Sequence, residues 1–108
     1  MDWQRLRELR SEVGAEAFEE VLELFLAETD QKVAELQAGA DGDDVGADMH
    51  FMKGAALNLG FDELAEACQR AETLANAGQP EDVDLDAILD CYAVSREALM
   101  AFRATDAA

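Results

Sequence analysis

The chain has 108 residues, half of them apolar, with 25 acids against 8 bases and a formal net charge of −17. This length suits one domain over residues 1–108 with a single core, and the apolar half excludes a disordered tail. The negative field repels phosphate backbones and anionic lipid heads, which sets aside nucleic acid and membrane surfaces as primary partners.

Alanine, leucine and glutamate dominate, β-branched residues are few, and there is one proline, so helix is expected throughout. Trp3, Leu6, Leu9 and Val13 form a short leading stripe that ends at Gly14. Phe18, Leu22, Phe25, Thr29, Val33 and Leu36 continue at steps of three and four on a long second helix. Val21, Leu24 and Leu26 widen its apolar surface toward more than one neighbour. "AGADGDDVG" (38–46) and "NAGQPEDVD" (76–84) carry the glycine, aspartate and proline of loops and caps. Between them lie two further seams: Val45, Met49, Met52, Ala56 and Leu59, then Phe61, Leu64, Cys68, Ala71 and Ala75 with Asp62 placed to cap. Leu85, Ile88, Tyr92, Ser95, Leu99 and Phe102 define the last helix, with Asp84 at its start. The expected fold is all-α, an antiparallel four-helix bundle with a short additional N-terminal helix. A bundle whose core is already filled needs no partner to fold, so a monomer is expected.

The third helix carries the only histidine, in "HFMKG" (50–54). At about 100° per residue its core seam centres about 140° away from His50, while Lys53, Gly54 and Leu57 fall within about 60° of it. His50 is therefore a surface residue, and an idle surface histidine is the bland alternative. Its neighbours argue otherwise. Gly54 sits mid-helix, where glycine costs about 1 kcal/mol relative to alanine, and it leaves the imidazole uncovered. Lys53 offers a mobile ammonium for a group that becomes anionic. Leu57 is apolar where a solvated residue is expected, which suggests a contact patch, and Phe51 stands at the margin between core and histidine face as a core-edge residue or an aromatic anchor. Imidazole is largely uncharged near neutral pH and nucleophilic there. Phosphoryl transfer suits this arrangement, because it needs in-line access and charge neutralisation more than covalent machinery.

"HFMKGAALNLG" resembles the histidine phosphotransfer (HPt) signature: a His, an apolar residue, Lys-Gly, two small residues and a later Gly. "EAFEEVLELFLAET" before it and "LGFDELAEACQRAETL" after it resemble the flanking helices of that family, so the similarity spans nearly the whole chain. The resemblance implies a helical bundle that carries phosphoryl groups between aspartates of response-regulator receiver domains, or from a hybrid histidine kinase. His50 matches the phosphorylated histidine, with Nε2 as the expected site, Lys53 the lysine beside the phosphate, and Gly54 the small residue that admits a receiver. Gly60 matches a second glycine, where the helix ends or packs closely on the next. Relatives often carry glutamine on the following helix near the histidine; the matching position here is Glu72. A carboxylate there can accept from Nδ1–H, fix the tautomer and leave Nε2 free, or it can be a solvated surface acid that repels an incoming phosphoryl group.

Other signals point elsewhere less well. An EF-hand starting at Asp41 would need oxygen ligands at Val45 and Met52, so "DGDDVGAD" is read as a capping loop and no metal is expected. Cys68 and Cys91 fall at apolar helical positions and are read as free thiols. No phosphate-cradling glycine loop is present, so no ATP site, cofactor or autonomous kinase activity is expected, and Mg²⁺ for the transfer comes from the receiver partner. No apolar run approaches the roughly 20 residues of a membrane helix, and "MDWQRLRELR" lacks the apolar stretch of a signal peptide, so a cytoplasmic location is expected. Two alternatives to a relay carrier stay open: a non-catalytic adaptor bundle that binds a receiver or kinase, and a domain phosphorylated directly by a separate histidine kinase.

Overall fold

The stripes fold as helices over the intervals their spacing predicts. The computed structural model describes residues 1–39 and 44–106, with side chains as far as Ala104. Among the described residues the order is α1 (Trp3–Val13), α2 (Ala15–Gln37), α3 (Val45–Leu59), α4 (Asp62–Asn76), a short 3₁₀ turn (Pro80–Asp82) and α5 (Leu85–Asp106), with no strand. Asp2, Asp44 and Asp84 cap α1, α3 and α5, their carboxylates accepting from the amides of Arg5, Ala47 and Ala87 at 3.0, 2.9 and 3.1 Å. The loop expected at 38–46 is shorter than its composition suggests, since Val45 and Gly46 already belong to α3. Residues 40–43 of that loop lie outside the described residues.

Asp62 does not cap α4. The cap position is Phe61, one residue earlier, and no side chain bonds there. The reason is the tightness of the α3–α4 link. Gly60 ends α3 at φ 73, in the left-handed region that favours glycine, and the Phe61 amide donates back to the Ala56 carbonyl at 2.8 Å. That turn drives the Phe61 ring into the core, fully buried, and moves Asp62 into the first turn, where its charge still favours the helix dipole.

Helices α2 to α5 run antiparallel in sequence. Asp30 and Glu19 of α2 pair with Arg96 and Arg103 of α5, and Lys32 of α2 with Asp48 of α3. The α3–α4 register is shared by three pairs, Gly46–Asn76, His50–Glu72 and Lys53–Gln69, in each of which the residue numbers add to 122. α1 closes one end of the bundle. Leu6 enters the core, the Trp3 ring stacks on Phe102 at 4.9 Å, and the Asp2 amide donates to the Gly60 carbonyl at 2.8 Å. Gly60 thus packs against the leading helix as well as ending its own.

The core is built from the expected seams: Phe18, Leu22, Leu26 and Leu36; Met49, Met52, Ala56 and Leu59; Phe61, Leu64, Cys68 and Ala71; Ile88, Tyr92, Leu99 and Phe102. Each large side chain contributes roughly 2 kcal/mol by leaving water. Thr29 is buried within its seam and donates its hydroxyl to the Phe25 carbonyl at 2.7 Å. Leu24 and Val13 are exposed, so α2 does not use the full width of its apolar surface and the leading stripe ends a turn early. With Met49, Met52, Ala56 and Leu59 all fully buried, the rotation of α3 about its axis leaves His50 no route inward.

Candidate functional site

The His50 side chain is 69% exposed, on the outer face of α3. Its Nδ1 lies 2.8 Å from Oε2 of Glu72, which reaches across from α4 and is only 15% exposed. The other oxygen of that carboxylate, Oε1, accepts from Lys53 Nζ at 2.8 Å. These bonds hold Glu72 below the usual carboxylate range, the Lys53 hydrogen bond most strongly, against partial desolvation and with the His50 bond adding to the effect. Glu72 is therefore ionised, and an ionised carboxylate only accepts. The proton of the bond sits on Nδ1, and the Nε2 of a neutral ring presents its lone pair away from Glu72.

Sequence alone left Glu72 as either an imidazole partner or a solvated acid; the structure makes it the partner. Its negative charge is offset by Lys53, which removes much of the repulsion toward an incoming anion. In the unphosphorylated domain Lys53 lies against α4, where Gln69 Oε1 is its second acceptor at 2.9 Å. Gln69 was not singled out from the sequence. Its signal was spacing: it precedes Glu72 by three residues as Lys53 follows His50 by three, so an antiparallel pair of helices aligns both couples.

A Cβ built on Gly54 meets nothing within 4 Å, so nothing inside the fold requires a glycine there. The space beside it continues into a shallow groove between α3 and α2, bordered by His50, Phe51 and Gly54 on one side and Phe25, Glu28 and Thr29 on the other. Phe51 is 44% exposed and points outward, with the Lys32 ammonium 5.8 Å from its ring centre. Lys32 is itself held by Asp48 at 2.7 Å, so a partly buried ion pair between α2 and α3 supports the aromatic edge of the groove. Leu57 is 53% exposed, and the helical advance puts it on the α4 side of the same face. From Met49 to Leu59 the only ionisable side chains on α3 are His50 and Lys53, in a chain whose net charge is −17. The outer face of α3 is thus an acid-free strip.

The site is thus an exposed imidazole on a helical bundle, with its Nδ1 facing an ionised carboxylate and a groove open beside it. A family model, the Hpt domain, matches residues 20–101, and the chain belongs to that family. Comparisons with curated proteins and with solved structures each returned no match. Hpt domains carry phosphoryl groups on histidine in phosphorelays, together with receiver domains and kinases, and are carriers rather than kinases. The matched region begins within α2, so the leading helix lies outside it. No helix among the described residues is long and apolar enough to cross a membrane.

Proposed function

We propose that this domain accepts a phosphoryl group on Nε2 of His50 from the phosphorylated aspartate of one receiver domain and passes it to the aspartate of another. The lone pair of Nε2 forms the N–P bond as the acyl-phosphate P–O bond breaks, and the electron pair leaves on the aspartate carboxylate. No base is needed at Nε2, because the ring proton is on Nδ1. Once phosphorylated, the ring keeps that proton and becomes cationic, and the Glu72 carboxylate is already in place to stabilise it. This charge also makes the imidazole a better leaving group for the onward step.

Lys53 neutralises charge on the phosphoryl oxygens, and Gly54 leaves the clearance through which a receiver brings its aspartate in line. Phe51 and Leu57 form apolar contacts on either side of the acid-free strip, with surrounding acids setting specificity at the rim. Mg²⁺ is supplied by the receiver, and the domain acts as a monomeric carrier without turnover of its own. The observation that carries this proposal is the His50–Glu72 hydrogen bond through Nδ1 on a side chain that remains 69% exposed.

The test is incubation with receiver domains carrying labelled aspartyl phosphate. Label is expected on the wild type and not on His50→Gln; label retained by that variant refutes the assignment. Tight receiver binding with no phosphohistidine at all supports an adaptor instead.

A further inference from the structure

The Lys53 ammonium holds two acceptors, both on α4 and neither belonging to a phosphoryl group: Glu72 Oε1 at 2.8 Å and Gln69 Oε1 at 2.9 Å. The Gln69 amide is oriented for this task. Its Nε2 donates to Thr73 Oγ1 at 3.3 Å, and the Thr73 hydroxyl donates to the Gln69 carbonyl at 3.0 Å. Thr73 thereby turns Oε1 toward Lys53. With the ring neutral, the Glu72 carboxylate and the Lys53 ammonium balance in this resting state.

Phosphorylation changes the balance. The ring acquires positive charge next to Oε2 of Glu72, and the new negative charge lies on the phosphoryl oxygens. Glu72 then has a second cation to pair with, and Lys53, one turn along the same helix face, has a stronger anion to reach. Besides Glu72, Lys53 is tied to α4 by Gln69, a neutral acceptor that gains nothing from phosphorylation.

We propose that Gln69 is a positioning residue that competes with the phosphoryl group for Lys53, and so lowers the fraction of the domain that stands phosphorylated at His50. The proposal rests on the phosphocarrier reading above. Removing the Gln69 acceptor destabilises only the resting arrangement, because the phosphorylated one has already given that bond up. The equilibrium then moves toward phosphohistidine, by about threefold for one partly exposed hydrogen bond to an ammonium.

The experiment uses phosphoramidate as donor at a fixed ratio to ammonia, with phosphohistidine read by phosphorus NMR. In this reaction the P–N bond of the donor breaks, ammonia leaves with the electron pair, and the Nε2 lone pair forms the new bond to phosphorus. Gln69→Leu is expected to raise the phosphorylated fraction relative to unphosphorylated protein about threefold, and Gln69→Ala to act in the same direction. In a Lys53→Met background the same Gln69→Leu change is expected to do nothing, a result that a merely structural role for Gln69 does not produce. An unchanged or lowered fraction in Gln69→Leu, or a rise that persists without Lys53, overturns the proposal. Transfer to receivers is scored separately: wild type that takes phosphoryl from phosphoramidate but never exchanges it with a receiver sinks the relay reading and this inference with it, whereas receiver exchange with flat Gln69 variants sinks this inference alone.

Discussion

Glu72 and His50 stand on different helices, and the carboxylate of the first accepts a hydrogen bond from Nδ1 of the second, N to O 2.8 Å. The same carboxylate holds Lys53, so a single acid fixes the tautomer of the nucleophile and the resting place of the cation. A neutral glutamine at this position could accept from Nδ1 but would not form an ion pair with Lys53 or stabilise a cationic ring by charge.

Lys53→Met removes the strongest influence that depresses the Glu72 carboxyl, leaving the opposing desolvation and the weaker His50 bond. A carboxyl depressed in the folded state contributes stability that is present above its ordinary value of 4.5 and is lost as pH falls through the lower folded value. The variant is expected to titrate Glu72 at a higher pH than wild type, and to carry a smaller contribution of this kind, whose loss still begins near 4.5 but is complete at a higher pH. NMR titration of the Glu72 carboxyl carbon measures it, and an unmoved midpoint refutes the assigned cause.

Gly54 is a glycine with no internal reason to be one. Because a Cβ there meets nothing, Gly54→Ala is expected to stabilise the fold by about 1 kcal/mol, raising Tm by about 4 °C in thermal denaturation. Gly54→Gln is expected to retain a Tm near or above wild type while slowing transfer from a phosphorylated receiver about tenfold or more, since the long side chain stands in the in-line path. A Gln variant that transfers at the wild-type rate removes Gly54 from the site.

Gly60 is the opposite case. Its φ of 73 strains any side chain, and a Cβ would lie 3.3 Å from the Asp2 carbonyl oxygen and 3.4 Å from Leu6 Cγ. Gly60→Ala is expected to destabilise by about 2 kcal/mol, from the left-handed backbone together with the displaced leading helix. Gly78, at φ 83 but with open space around it, isolates the backbone part, so Gly78→Ala should cost about 1 kcal/mol. Chemical denaturation of the two variants tests the difference; equal losses show that α1 does not bear on Gly60.

Burial pushes the Cys68 thiol up to about 12, with neighbouring Cys91 adding to the rise. Both cysteines are free, and only Cys91 is partly exposed. Iodoacetamide near neutral pH is expected to modify Cys91 first and to reach Cys68 only at the rate of unfolding, as peptide mass analysis over time would show. Modification of both at equal rates argues against the packing of α4 described above.

The helices, their seams and the outward turn of His50 were legible because each follows from periodicity within one segment, and a helix advances by a nearly constant angle whatever it packs against. The same argument failed for Asp62, where a tight two-residue link and the burial of Phe61 outweighed a good capping residue. It also overextended the apolar surface of α2 to Leu24, because periodicity shows which side chains are apolar and not how far a neighbour reaches.

What only the tertiary structure decided is who faces whom across the α3–α4 interface. That register is set by the length of the Gly60 turn and by the close approach of Gly46 to Asn76, which no single helix encodes. It puts Glu72 against His50 and Gln69 against Lys53, and so decides between the two readings the sequence left open for Glu72. Hydrogen bonds are short-ranged and directional, so a shift of one residue along α4 would dissolve these pairs while leaving every helical stripe intact.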